Sequence, residues 1–546
     1  NETTYYYKLG LSGEVDGQSY TVFFSNEAQV FSNEEATFSI TGQVDLEGSD
    51  DNSGVLVEFF REYPENIYTA STDEEGYFNL QVPQSTYNIL FSKYGWQPYD
   101  LNNQYISNDS EFFITLEQGY AAYVQGDASG IWSEENLYFV EGDITVPESD
   151  TLTIEAGTRI KFMGEYQFSV EGVLIAEGDS LNHIEFTSGQ TIPMPGDWGI
   201  LSLHSPGNIL KYVDIRYAGN GISGEDIDGS VFDNCSIAEI PYWADDTRIN
   251  CHGIEAENCV GCVFSNNSVE GDIWEGIMVE HDGSGSVFTG NIINTHEAMV
   301  GLGVGEGDSL IFSNNTVMAE GYGASILVEE GSNISITDNI ITGYKGIQVP
   351  FGENLNISGN DIISTNRGVH ITTSGNSLTL TDNTINSSEI SIYASGIEGG
   401  EITGNSCEGS SGSWAIEMSS CNDCLFAANT VNYPSGHGIK SNSSSGTTIE
   451  DNTINISGSG IYAESGDSLE ITNNTITGFN SYGIRFESTS NTSIHNNSLV
   501  STPGGDSNNY GIYNGNTYSH QNAVYANDIH ILDAYDTVEG IRASRT

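Results

Sequence analysis

Asparagine recurs along this chain at nearly constant intervals. Aligned on that residue, segments such as VFSNNSV, IFSNNTV, TLTDNTI and EITNNTI place Asn267, Asn291, Asn315, Asn339, Asn360, Asn383, Asn405, Asn429, Asn452, Asn474 and Asn497 at successive separations of 24, 24, 24, 21, 23, 22, 24, 23, 22 and 23. VFDNCSI extends the series back to Asn234 and VYANDI forward to Asn527, across longer intervals of 33 and 30 that read as insertions. A fixed period of 20–50 residues is the signature of stacked supersecondary units, and it overrides the size limit that would otherwise divide 546 residues among several cores.

Each period has the same internal grammar. A Gly-Ile pair precedes the Asn by about 14 residues, as in Gly253-Ile254, Gly346-Ile347, Gly438-Ile439, Gly460-Ile461 and Gly483-Ile484. A second Gly often stands eight residues before it (Gly307, Gly331, Gly352, Gly466), and apolar residues recur at −5, −3 and +2, as in Leu469, Ile471 and Ile476. Such a period holds short strands of two or three inward residues separated by tight corners. The chain is therefore all-β. Over about 310 residues the pattern resembles the right-handed parallel β-helix repeat family, which implies coils of 22–24 residues stacked at ~4.8 Å with the Asn column forming a structural amide ladder at one corner. LTIEAGTRIKF, VEGVLIAEG and PGDWGILSL resemble the opening coils of secreted bacterial β-helix proteins, which puts the helix at residues 119–546, with regular coils from about 231.

Residues 38–118 follow a different rule. FSITGQV, GVLVEFF, GYFNLQV and YNILFS alternate apolar and polar residues, with Phe78, Leu80 and Val82 on one side and Asn79 and Gln81 on the other, the pattern of half-buried antiparallel strands. This stretch resembles the carboxypeptidase regulatory-like (prealbumin-like) β-sandwich through Thr72, Asp73, Gly76, Phe78, Gly95 and Trp96. The resemblance implies a small accessory sandwich without catalysis of its own. Residues 1–37 are strand-like and tyrosine-rich but match no pattern.

Charge narrows the setting. With 14 basic and 76 acidic residues the net charge is 14 − 76 = −62, which makes the chain a poor candidate for nucleic acid or anionic membrane and fits an ion-rich extracellular medium. No apolar run reaches membrane-spanning length. The start, NETTYYYKLG, is that expected of a secreted chain whose signal has been removed, and equally of a piece excised from a longer chain.

Seven cysteines, none before Cys235, are too few for a disulfide scaffold. The CxxC pairs Cys259/Cys262 and Cys421/Cys424 invite a shared zinc, yet both occupy −8 and −5, seven coils or roughly 34 Å apart. A stacked helix excludes that zinc and leaves local corner disulfides or buried thiols. Cys407 takes an inward +2 slot and is expected to be a buried free thiol. GEDIDGS, with Asp226 and Asp228, is a weak calcium candidate lacking the full loop pattern; no other cofactor is implied.

One column carries chemistry. The residue after each Gly-Ile points outward, and in the C-terminal coils it reads His370, Tyr393, Glu417, Lys440, Tyr462, Arg485, Tyr513, Arg542. Tyr393, Lys440, Tyr462, Arg485 and Tyr513 are candidates for a carbohydrate-binding groove; cross-strand Tyr–Arg and Glu–Lys neighbours on a solvated face explain the same residues. A uronate-acting lyase needs Lys, Arg or calcium, and the large negative charge is expected to repel an anionic substrate. No catalytic residue is assigned. The leading expectation is a secreted, non-enzymatic structural or adhesive surface protein. Self-association into a filament or docking to another surface protein is favoured by the sheet edge that EGIRASRT leaves uncapped. The alternative is a carbohydrate-active enzyme or polysaccharide-binding protein using the outward column.

Overall fold

In the computed structural model each repeating asparagine from Asn291 to Asn497 touches its counterparts in the coils before and after. Asn291 shows the pattern. Its Nδ2 donates to Oδ1 of Asn315 and to the carbonyl of Phe264, both at 2.9 Å, while its Oδ1 accepts from the backbone N–H and Nδ2 of Asn267, both at 3.0 Å. The amide–amide bond repeats at 2.9–3.0 Å from Asn267 through Asn497 to Asn527. From Asn267 to Asn497 the ladder side chains are buried, so complete pairing is what makes a column of interior amides tolerable.

One alignment needs correction. The ladder slot in the first regular coil belongs to Cys235, whose N–H donates to Oδ1 of Asn267 at 2.9 Å, and Ser236 pairs with Ser268. Asn234 lies one residue earlier, at φ 55°, in a corner column with Asn266, Asn314, Asp338, Asp382, Asp451, Asn473 and Asn496, where Gly290, Gly359 and Gly404 adopt the same left-handed conformation. Asn, Asp and Gly are the residues for which that conformation costs least.

The structure describes residues 36–543 except 62–65, 94, 117–118, 191, 242–250, 297, 373–376, 411–412, 503–508, 516–518 and 533–537; before residue 36 it describes only the backbone of four strands. Arg545 lies outside the described residues. Two units are formed, Asn1–Tyr120 and Ala121–Thr546. In the second, 47 strands from Tyr120–Asp127 to Val538–Ala543 wind into a parallel β-helix in which each strand pairs in parallel with its counterpart one coil on. Inside, Phe232, Phe264, Phe288 and Phe312 stack with ring centroids 5.1, 4.9 and 4.6 Å apart, close to the rung spacing itself.

In the first unit, small antiparallel pairs join Thr4–Tyr6 to Gln29–Phe31 and Gly10–Val15 to Gln18–Phe23. A four-stranded and a three-stranded sheet follow. Phe78, Leu80 and Val82 are buried while Asn79 and Gln81 are exposed, but the pairing is not purely antiparallel, since Ser110–Leu116 runs parallel to Thr37–Leu46. The Thr72–Phe78 motif closes a turn. Asp73 Oδ1 accepts from the Tyr77 N–H at 2.8 Å, Thr72 Oγ1 accepts from the Val55 N–H at 2.9 Å, and a Cβ on Gly76 would lie 2.2 Å from the Val44 carbonyl oxygen. Among the described residues no helix is long and apolar enough to cross a membrane.

The ladder makes a quantitative demand. Asn383→Ala leaves the backbone N–H of Asn360 and the Ile357 carbonyl without this partner and takes one acceptor from Asn360 Nδ2, which keeps the Ile336 and Ser358 carbonyls. At 1–3 kcal/mol per buried group left unpaired, denaturant unfolding should show a loss of about 3 kcal/mol or more, whereas an exposed substitution such as Thr379→Ala should fall within about 0.5 kcal/mol.

Candidate functional site

The outward column is continuous. Strand register carries it through Glu255, Met278, Gly303, Leu327, Gln348, His370, Tyr393, Glu417, Lys440, Tyr462, Arg485, Tyr513 and Arg542. A glycine bend two residues earlier brings in a second column. At Gly346 a Cβ would lie 2.4 Å from the Gly368 carbonyl oxygen and 2.5 Å from Ile362 Cγ2, so only glycine fits between successive coils. Across this bend residues i and i+3 converge on one face. Lys345 Nζ donates to Gln348 Oε1 at 2.8 Å, Arg367 donates to the His370 ring at 3.0 Å, and His252 lies 3.6 Å from Glu255. The second column therefore reads His252, Glu275, Val300, Ala324, Lys345, Arg367, Ile390, Trp414, His437, Ser459, Tyr482, Tyr510, Glu539. Sequence reading missed it, although taking the residue before each Gly of the Gly-Ile pairs would have found it.

The face changes character along the helix axis. Among the N-terminal rungs, His252 Nδ1 lies 2.9 Å from Glu275 Oε2, and both side chains are buried. Burial works against the charge on His252, but Glu275, Glu255 and Glu280 outweigh it and raise its pKa; burial also raises the carboxyl of Glu255. Five rungs beyond Glu255 the charge environment is inverted. Desolvation, with Arg367 and Lys345 alongside, lowers the His370 imidazole to about 4, and desolvation followed by the neighbouring Arg367 lowers Lys345.

The C-terminal candidates make mutual contacts. Arg485 lies over the Tyr462 ring at 4.9 Å and donates to Glu487 at 2.9 Å, and the Tyr462 hydroxyl donates to Glu487 at 3.0 Å. Lys440 pairs with Glu417 at 2.7 Å. Tyr393 stands edge-on to His370 at 5.0 Å and beneath Arg367 at 4.7 Å, while Tyr513 packs on Tyr482 and Tyr510 at 4.9 and 5.0 Å. Trp414 stacks on His437 at 4.6 Å. Lys345, Arg367, Lys440, Arg485 and Arg542, the described basic residues after Gly253, all lie on this face.

The remaining candidates lie elsewhere. Cys259 and Cys262 are joined by a disulfide, whereas Cys421 and Cys424 sit in the equivalent corner as buried thiols, seven rungs away by the register that links Val263 to Leu425. Cys407 is a buried thiol pushed up to about 12 by desolvation. Asp226 accepts from Asn258 Nδ2 at 2.7 Å and Asp228 from the Val260 N–H at 2.8 Å, so both tie their corner to the next coil. Among the described residues no group of three or more His, Cys, Asp or Glu is placed to hold a metal ion.

A sequence profile of the right-handed β-helix region matches residues 244–385 and 367–529, together 286 of 546 residues. The chain belongs to the right-handed β-helix family. No curated protein matches the sequence of this β-helix protein. Among solved structures, a cohesin–X-dockerin complex from Acetivibrio cellulolyticus is 19% identical over 15% of the chain and 58% of its own, with a TM-score of 0.14. The Dettilon tailspike protein is 10% identical over 73% of the chain and 62% of its own, with a TM-score of 0.27. The A-module of the mannuronan C-5 epimerase AlgE4 from Azotobacter vinelandii is 9% identical over 78% and 91%, with a TM-score of 0.19. The chain thus spans less than two thirds of the first two, and likenesses this remote have no bearing on function.

The two histidine environments are distinguishable in solution. In a ring-nitrogen NMR titration, His252 should titrate above and His370 far below the ordinary value near 6.5. The linkage signs are opposite. The His252 contribution to stability is complete below about 6.5 and lost as pH rises through its raised pKa. The His370 contribution is complete above about 6.5 and lost as pH falls toward 4.

Proposed function

We propose that this chain is a secreted, non-enzymatic adhesive scaffold that holds polysaccharide along the outward face of its β-helix. The observation carrying this reading is the concentration of cationic and aromatic side chains on one sheet of a chain with net charge −62. Stacked coils repeat at ~4.8 Å, and Tyr393, Trp414, Tyr462, Tyr482 and Tyr513 are half-buried on successive or alternate rungs. Each ring is braced by a neighbour, which lowers the ordering cost of presenting it to a sugar face. The regular backbone bonding of the coils supports a stiff platform suited to an extended ligand. The N-terminal unit fits an accessory carboxypeptidase regulatory-like sandwich, a reading supported by the turn that Thr72, Asp73 and Gly76 build.

On a glycan array the intact protein should retain a defined set of polysaccharides, and Trp414→Ala and Tyr462→Ala should each weaken retention roughly three- to tenfold, the scale of one aromatic contact, with unchanged melting temperature. Retention of no glycan, or variants that bind as the parent does, would remove the proposal.

Self-assembly is a second reading with its own observation. Ile292, Met318, Ile340 and Ile363 are 54%, 39%, 57% and 52% exposed on the strands that follow the ladder, and register places Ile340 two rungs from Ile292 and Ile363 two rungs from Met318. An apolar patch of this kind marks an interaction surface. Light scattering should detect assemblies that Ile340→Asp with Ile363→Asp disperses; a monomer at all concentrations would dispose of this reading.

A further inference from the structure

The cations of the face divide into two classes. Lys440 has Glu417 at 2.7 Å, Arg485 has Glu487 at 2.9 Å, and Arg542 has Glu539 at 3.7 Å. Lys345 and Arg367, directly paired on adjacent strands, have no carboxylate within 4.0 Å among the described residues. Their partners are neutral: Gln348 for Lys345, and His370 and the Tyr393 ring for Arg367. In a protein with 76 acidic and 14 basic residues, two adjacent half-buried cations with no carboxylate in contact are a conspicuous departure from the rest of the face, the nearby Glu389 being engaged by Asn366 Nδ2 at 2.6 Å. Placing them side by side costs Coulomb energy, which the contacts to Gln348, His370 and the Tyr393 ring offset only through neutral partners, without an opposing charge.

The arrangement also has the form of a receptor. An ammonium carries three donors and a guanidinium five; one from each is engaged by Gln348 and His370, leaving the others for an incoming acceptor. Gln348 and His370 hold the two heads by contacts across the glycine bend, and Tyr393 backs the guanidinium. Long-range repulsion, the reason to expect anions to be turned away, is largely screened beyond about 8 Å at physiological ionic strength, whereas charge-assisted hydrogen bonds at contact persist.

We propose that Lys345 and Arg367 form a recognition site for an oxyanion, the carboxylate of a uronic acid or the sulfate ester of a sulfated sugar, so that the polysaccharide held on this face is an acidic one. The site rests on the polysaccharide reading for its setting and on its own two cations for its chemistry.

Biolayer interferometry of the intact protein against polygalacturonate, dextran sulfate and unsubstituted dextran tests it. At least one acidic polymer should bind tenfold or more tightly than dextran, and which one does identifies carboxylate or sulfate as the recognised group. Arg367→Gln and Lys345→Gln should each reduce acidic-polymer affinity roughly ten- to a hundredfold, the scale of a charge-assisted hydrogen bond. Dextran affinity should stay within twofold, and Arg367→Lys should restore part of the loss. Circular dichroism melts identify any variant that has merely unfolded, and the Lys345→Arg variant, which keeps the charge, should bind as the parent does. Acidic polymers that bind no better than dextran, or that bind the Gln variants as tightly as the parent, would overturn the site while leaving the polysaccharide reading intact. Acidic polymers held through Lys345 and Arg367 without any contribution from Trp414 or Tyr462 would support the site and overturn the aromatic platform; binding of none would overturn both.

Discussion

The amide-to-amide hydrogen bond between coils is the contact on which the fold depends. It closes a circuit: each buried asparagine binds backbone in the preceding coil and side chain in the next, so no polar atom in the column is left to itself. Because the bond has one length and direction, it also sets the register of the strands on both sides. A slip of one residue would orphan several amides at once and turn the inward isoleucines to solvent. The stacked phenylalanines and the glycine bend fit around that register.

The same register builds the outward face, and this is why charge patterns on it carry meaning. Side chains three residues apart meet over a glycine, and those one coil apart lie directly above one another. The neutral state of His370 and the raised pKa of His252 are therefore consequences of which coils happen to carry Arg and which carry Glu. Where Glu417, Glu487 and Glu539 accompany Lys440, Arg485 and Arg542, the face is electrostatically closed on itself; around Lys345 and Arg367 it is open.

How much of this could be read in the sequence depends on the range of the interaction involved. The Asn column and the inward positions were legible because stacking turns a spatial contact into a fixed interval. The misplaced Asn234 shows the limit: NN and DN dipeptides contain both the corner residue and the ladder residue, and in DNC the cysteine fills the ladder slot. The outward column through Tyr393, Lys440, Tyr462, Arg485 and Tyr513 was visible as a residue after Gly-Ile, whereas its companion through Lys345, Arg367 and Trp414 was not, because strict alternation hides what a glycine bend brings round. In the first unit the parallel pairing of Ser110–Leu116 with Thr37–Leu46 was likewise invisible, since period-2 patterning does not encode strand direction.

The near-identity of the coils has a consequence for descent. Each turn bears its own strip of the face on a backbone whose bonds are the same above and below. Duplicating or deleting one whole turn would leave both flanking turns with familiar partners, so related chains should differ in reach by complete increments, and the extent of the outward face would be inherited in discrete steps.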